Sequence, residues 1–115
     1  MYGKLAPALF LLAGFVAAPA RAADNDYPTE ARADYVFGCM AANGQTQDAL
    51  KRCSCSIDVI ASILPYDRYV EAETILSMRQ GVGRTASIFR SVAKYDDVIA
   101  GLRRAQAEGE IRCFK

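Results

Sequence analysis

The sequence predicts an all-α fold, a small disulfide-stapled bundle of four to five helices, and three observations carry that prediction. Apolar residues recur at steps of three and four along most of the chain, the spacing that places them on one face of a helix. No segment alternates apolar and polar residues with the period of two that marks a half-buried strand. Four cysteines, Cys39, Cys53, Cys55 and Cys113, stand in a chain of only 115 residues whose start resembles an export signal, a setting that favours disulfides over free thiols.

The first element is the export signal itself. Lys4 precedes a long apolar stretch from Leu5 to Pro19, which exits through Ala20-Arg21-Ala22. That three-part layout predicts a signal peptide cleaved after Ala22 and a periplasmic location. Pro7, Gly14 and Pro19 interrupt the stretch, whereas a membrane span needs ~20 continuous apolar residues. Residues 1–22 are therefore set aside, 23–28 are expected to be a flexible lead-in, and 29–115 a single helical domain. Taking Lys4 and Arg21 from the 14 basic residues leaves 12 against 13 acidic ones, a net charge of −1. This balance gives no support for a nucleic-acid partner or a strongly electrostatic membrane role, and no membrane span is expected after cleavage.

The helices follow in order. The first begins near Thr29, carries Glu30 in its first turn and Val36, Cys39 and Met40 on one face, and stops at Asn43-Gly44, which tolerate a left-handed cap. Thr46 is a good N-cap for the second, whose stripe is Leu50, Cys53, Ile57, Ile60 and Leu64. Pro65 ends that helix or opens the next. A third from about Asp67 to Gln80 presents Tyr69, Ala72 and Leu76, with Val70 and Ile75 flanking. Gly81-Val82-Gly83 breaks the pattern, and Thr85 is expected to cap a short fourth helix through Ile88, Phe89 and Val92. The last should begin at Asp96 or its neighbour, bury Val98, Ile99, Leu102 and Ala105, and end before Gly109.

The cysteines are the bundle's expected staples. Cys53 and Cys55 on one helix point about 200° apart, so neither can bridge the other and each needs a partner elsewhere. Two pairings remain, Cys39 with Cys53 and Cys55 with Cys113, or Cys39 with Cys55 and Cys53 with Cys113. The first matches better the distances of Cys39 and Cys53 from a turn centred near Gly44. In the chain-entropy account a closed loop of about 15 residues contributes roughly 3 kcal/mol and one of about 60 roughly 4. The functional counterpart, a redox dithiol at Cys53-Ser54-Cys55 activated by Lys51 or Arg52, conflicts with Cys53 lying on the buried stripe.

Histidine is absent, which removes the usual general base and the usual nitrogen ligand for zinc or copper. No catalytic constellation remains, and the protein is expected not to be an enzyme. Chemical potential then rests with oxygen: Asp24, Asp26, Glu30 and Asp34 near the front, and Asp58, Asp67, Glu71, Glu73, Asp96 and Asp97 in the body. Asp67 and Glu71, one turn apart, share a helix face. Such groups suit hard cations, which take six or more oxygens, so two protein copies around one ion make a reasonable metal-bridged homodimer. The same acids also fit ordinary roles, with Asp67 and Asp96 as caps and Glu71 paired to Arg68 or Arg79.

Three stretches carry a resemblance: Phe37-Gly38-Cys39-Met40-Ala41-Ala42-Asn43-Gly44, then Cys53-Ser54-Cys55-Ser56-Ile57-Asp58-Val59-Ile60, then Tyr66-Asp67-Arg68-Tyr69-Val70-Glu71-Ala72-Glu73-Thr74. The chain from about residue 30 to Phe114 resembles small periplasmic proteins encoded near PQQ-dependent alcohol dehydrogenases in methylotrophic bacteria, including the landiscernin type of lanthanide-binding chaperone. The resemblance implies a periplasmic carrier of lanthanide ions serving a PQQ-dependent dehydrogenase or its accessory protein. It does not supply ligands. From chemistry, Asp67 and Glu71 are the first candidates for the metal, with Asp58, Glu73, Asp96 and Asp97 behind them. The alternative is a periplasmic protein-binding or chaperone module with structural disulfides, no metal, and an apolar groove for a client.

Overall fold

The computed structural model describes residue 3 and residues 26–115. The expected signal peptide, apart from Gly3, and residues 23–25 lie outside them. Five helices and no strand are present among the described residues: α1 (Thr29–Asn43), α2 (Gln47–Ile63), α3 (Tyr66–Arg79), α4 (Arg84–Ser91) and α5 (Ala93–Cys113). The all-α bundle stands as expected, and none of these helices is long and apolar enough to cross a membrane.

Local chemistry sets most boundaries. Gly44, at φ +106°, stops α1 in a conformation that disfavours a side chain, and its N–H donates to the Met40 carbonyl. The Thr46 hydroxyl accepts from the Ala49 N–H at 3.0 Å, the expected cap of α2. Leu64 is extended, as a residue before proline prefers, so α2 ends there and Pro65 stands at the cap of α3.

Three expectations at helix ends need correction. The fourth helix starts at Arg84 behind Gly83, at φ +92°, so Thr85 lies inside the helix rather than capping it. The fifth starts at Ala93 behind an extended Val92, ahead of Asp96. Asp96 is thereby free to accept from Arg79 Nη2 at 2.8 Å. Gly109 does not end α5, which runs on to Cys113. A Cβ there would sit 2.6 Å from Ser56 Oγ and 3.2 Å from the Ser56 carbonyl oxygen, so this glycine lets α5 approach α2 closely.

The most extensive helix pairing is α2 with α5, followed by α1 with α2 and α3 with α5. The core gathers Ile57, Ile60 and Ala61 of α2, Tyr69 and Ala72 of α3, and Leu102 and Ala105 of α5. Tyr27, within the expected lead-in, joins them at 5% exposure. Its hydroxyl donates to the Leu64 carbonyl at 2.7 Å, one of the acceptors that the end of α2 leaves without a helical partner. Asp26 accepts from the Tyr66 N–H at 3.3 Å, at the first residue of α3. The strap thus closes the α2–α3 corner, with the Tyr27 ring 5.0 Å from Tyr66 and 5.2 Å from Tyr69.

Both staples are formed, and the pairing is Cys39 with Cys53 and Cys55 with Cys113, each with Cα atoms 5.8 Å apart. No cysteine is free, so a Cys53-Cys55 dithiol is not what this arrangement offers. The first bond ties α1 to α2 and the second ties the end of α5 to α2. At the opposite end the α3–α4 hairpin has no covalent tie. There Arg79 Nε donates to the Phe89 carbonyl at 2.7 Å, while Arg90 donates back to the carbonyls of Arg79 at 3.1 Å and Gly81 at 2.6 Å.

Candidate functional site

The helix α1 has no fully buried residue and therefore presents two open faces. One carries Glu30 and Asp34 a single turn apart, with Tyr35 beside them, and looks toward α3. The other carries Ala33, Val36, Phe37 and Met40 and looks along α2.

The first face forms one wall of a continuous acidic cleft. Two adjoining hollows, of 340 and 440 Å³, share Asp34, Tyr69 and Glu73 as lining residues. Glu30 and Tyr66 extend the cleft toward the strap, and Glu110 of α5 and Asn43 extend it toward the stapled end. Its floor is polar but satisfied. Ser56, 1% exposed, shares a hydrogen bond of 3.1 Å with the Tyr35 hydroxyl, a contact across α1 and α2.

Electrostatics mark Glu73 as the strained acid. It stands at the rim, open to solvent on one side and crowded by α1 on the other. Burial raises its carboxyl above the ordinary value and the Asp34 carboxylate pushes the same way, against the Arg103 guanidinium, which lowers it. Burial also raises the Tyr69 phenol, helped by the negative charge of Glu73 and Asp34, so it remains a protonated donor at neutral pH. A cation between Asp34 and Glu73 would offset the repulsion that Asp34 exerts on Glu73.

The sequence candidates divide on this geometry. Glu73 lines the cleft. Asp67 receives the Arg68 N–H at 2.8 Å, and Glu71 pairs with Arg68 at 3.1 Å. Asp58 pairs with Arg32, joining α2 to α1, while the Arg32 guanidinium lies 5.8 Å from the Tyr27 ring centroid. Asp96 is held by Arg79, and Asp97 borders a shallow apolar hollow with Leu64, Arg68 and Val98. The structure therefore does not bring the six together, and among the described residues no group of three or more Asp, Glu, Cys or His is placed to hold a metal ion.

Glu30 and Asp34 stand among the front carboxylates noted in the sequence but outside the ranked metal candidates, and Glu110 is not among them. The first two had a signal: they lie one turn apart, the spacing that singled out Asp67 and Glu71. Glu110 had none, because its position follows from the docking of α5.

The second face of α1 borders an apolar groove of 510 Å³, lined by Val36, Phe37, Met40, Leu50 and Ile57. Phe37 is 75% exposed beside it. Comparison with protein-family models, with curated proteins and with solved structures found no match to this chain.

Proposed function

We propose that this protein is a periplasmic, non-enzymatic carrier of hard, oxygen-seeking cations of the lanthanide type, handling them for a PQQ-dependent alcohol dehydrogenase. The observation that supports the reading is the Asp34–Glu73 pair across the cleft, flanked by Glu30 and Glu110, in a chain with no histidine and no free thiol. Oxygen is the only donor type left, and it suits a hard ion. Asp34 and Glu73 alone fall far short of a full coordination shell, and no third carboxylate among the described residues is placed to join them. Water or a second copy of the chain supplies the rest, and a cleft open at the surface permits either. The dehydrogenase and the metal-bridged homodimer come from the resemblance and the ligand count respectively.

Metal-stripped protein, residues 23–115 made in an oxidising compartment, is titrated calorimetrically with La³⁺ and with Ca²⁺ while its mass is followed by light scattering. Saturable La³⁺ binding is expected, weakening as pH falls through the raised value of Glu73 because proton and metal compete for one carboxylate. Absence of saturable binding by either ion sinks the reading.

A second reading is favoured by the apolar groove and the bare Phe37: a metal-free module that takes an apolar segment of a protein client. It predicts that stripped protein suppresses aggregation of an unfolded client and that Phe37→Ser abolishes the effect.

A further inference from the structure

The near-zero net charge conceals one segment of uniform sign. Between Glu73 and Asp96 the chain carries Arg79, Arg84, Arg90 and Lys94 and no acidic residue. This segment is the end of α3, the Gly81-Val82-Gly83 loop, α4 and the start of α5. Of the bordering acids, Asp96 offsets Arg79 alone, and Asp97 lies by Arg68 and Val98, so Arg84, Arg90 and Lys94 keep the segment positive. Arg84 and Lys94 take part in none of the five ion pairs found among the described residues.

The same segment holds apolar side chains in water. Val82 is 96% exposed, Ile88 49% and Met78 38%. The hairpin is braced by the reciprocal arginine bonds from Arg79 to the Phe89 carbonyl and from Arg90 to the Arg79 and Gly81 carbonyls. The rings of Phe89 and Tyr95 stack behind it at 5.1 Å. A slack loop could fold its valine back onto the protein. Here the bonds to the Arg79 and Gly81 carbonyls flank the loop, and Val82 stands bare.

We propose that the α3–α4 hairpin is a docking element for an anionic lipid surface, with Val82 and Ile88 entering the headgroup boundary and Arg84 and Lys94 meeting lipid phosphates. Cations beside exposed apolar groups are the combination that holds a protein at a charged interface without spanning it. A protein partner is less well matched, since a stable interface needs about 800 Å² from each side and the hairpin offers only a few apolar side chains. The proposal is independent of cation binding. A carrier so held would be confined to the membrane surface, with the acidic cleft at the middle of α3 rather than at its hairpin end.

The test is flotation of the metal-free protein with phosphatidylcholine vesicles, with and without phosphatidylglycerol, over a range of salt. Binding to the anionic vesicles that weakens with salt is expected. Arg84→Gln and Lys94→Gln should each lower partitioning about fivefold, and Val82→Ser should lower it at unchanged charge. All three sites are at the surface, and circular dichroism checks that the fold persists. No binding to anionic vesicles, equal binding to both kinds, or insensitivity to these substitutions overturns the proposal. Binding to polyglutamate without binding to vesicles also overturns it, in favour of an acidic protein partner.

Discussion

The two ends of this molecule are held by different chemistry. At one, Cys39–Cys53 and Cys55–Cys113 tie α1, α2 and the end of α5 together, and Gly109 lets α5 settle against Ser56. At the other, α3, α4 and the start of α5 are joined by two arginines that satisfy carbonyls at the ends of α3 and α4. A chain of this size draws only modest stability from its core, so cross-links matter. Covalent bonds reinforce the first end by limiting the unfolded chain, whereas hydrogen bonds reinforce the second only while the fold persists. The hairpin should therefore be the part that opens first.

The largest effect should come from removing a staple. Replacing Cys55 and Cys113 together by serine should lower unfolding free energy by about 4 kcal/mol, and replacing Cys39 and Cys53 by about 3, because the first pair closes the longer loop. Urea unfolding measures both, and a reversed order would contradict the loop-length account. Next is Gly109→Ala, expected to cost about 2 kcal/mol because the new methyl group meets Ser56, including its backbone. Arg79→Ala should cost about 1–2 kcal/mol and act locally. Amide exchange should then accelerate in residues 79–91 while α2 stays protected. Uniform acceleration would show that the two ends are not separable.

The smallest effect concerns the cleft between these ends. The folded state holds the Glu73 proton more tightly than the unfolded chain does, so its ionisation opposes folding above the raised value. Glu73→Gln should raise stability at neutral pH, with the gain fading as pH falls from the raised value to the ordinary carboxylate value and gone below it. Paired unfolding curves at neutral and acid pH check the sign. A variant destabilised at neutral pH would mean that Glu73 is held by a favourable partner instead.

What the sequence disclosed divides along similar lines. The α2 stripe, the Thr46 cap and the Gly44 stop are written within a few residues of where they act, so periodicity and capping rules reach them. Tyr27 was missed because Leu64, Tyr66 and Tyr69, its partners, are supplied by a corner formed only after α2 and α3 pack. Gly109 looked like a helix stop because glycine so often serves as one, and only the α2–α5 approach reveals its other use. Asp96 resembled a cap because its true partner, Arg79, lies on another helix. The disulfide pairing was narrowed to two choices by helix geometry, and the turn at Gly44 pointed to the one observed. The acidic cleft was half legible: Glu30 and Asp34 share a face in sequence, but Glu73 and Glu110 join them only through tertiary packing.

The proposed cation site rests on Asp34 and Glu73. Tyr35 and Tyr69 line the same cleft, so excitation of tyrosine should sensitise emission from Tb³⁺ bound there. Titrating metal-stripped protein with Tb³⁺ should give saturable emission that La³⁺ displaces and that the combined Asp34→Asn and Glu73→Gln substitutions abolish, while Asp67→Asn and Glu71→Gln leave it intact. Emission that survives loss of the cleft pair, or disappears with Asp67 and Glu71 instead, would contradict the account.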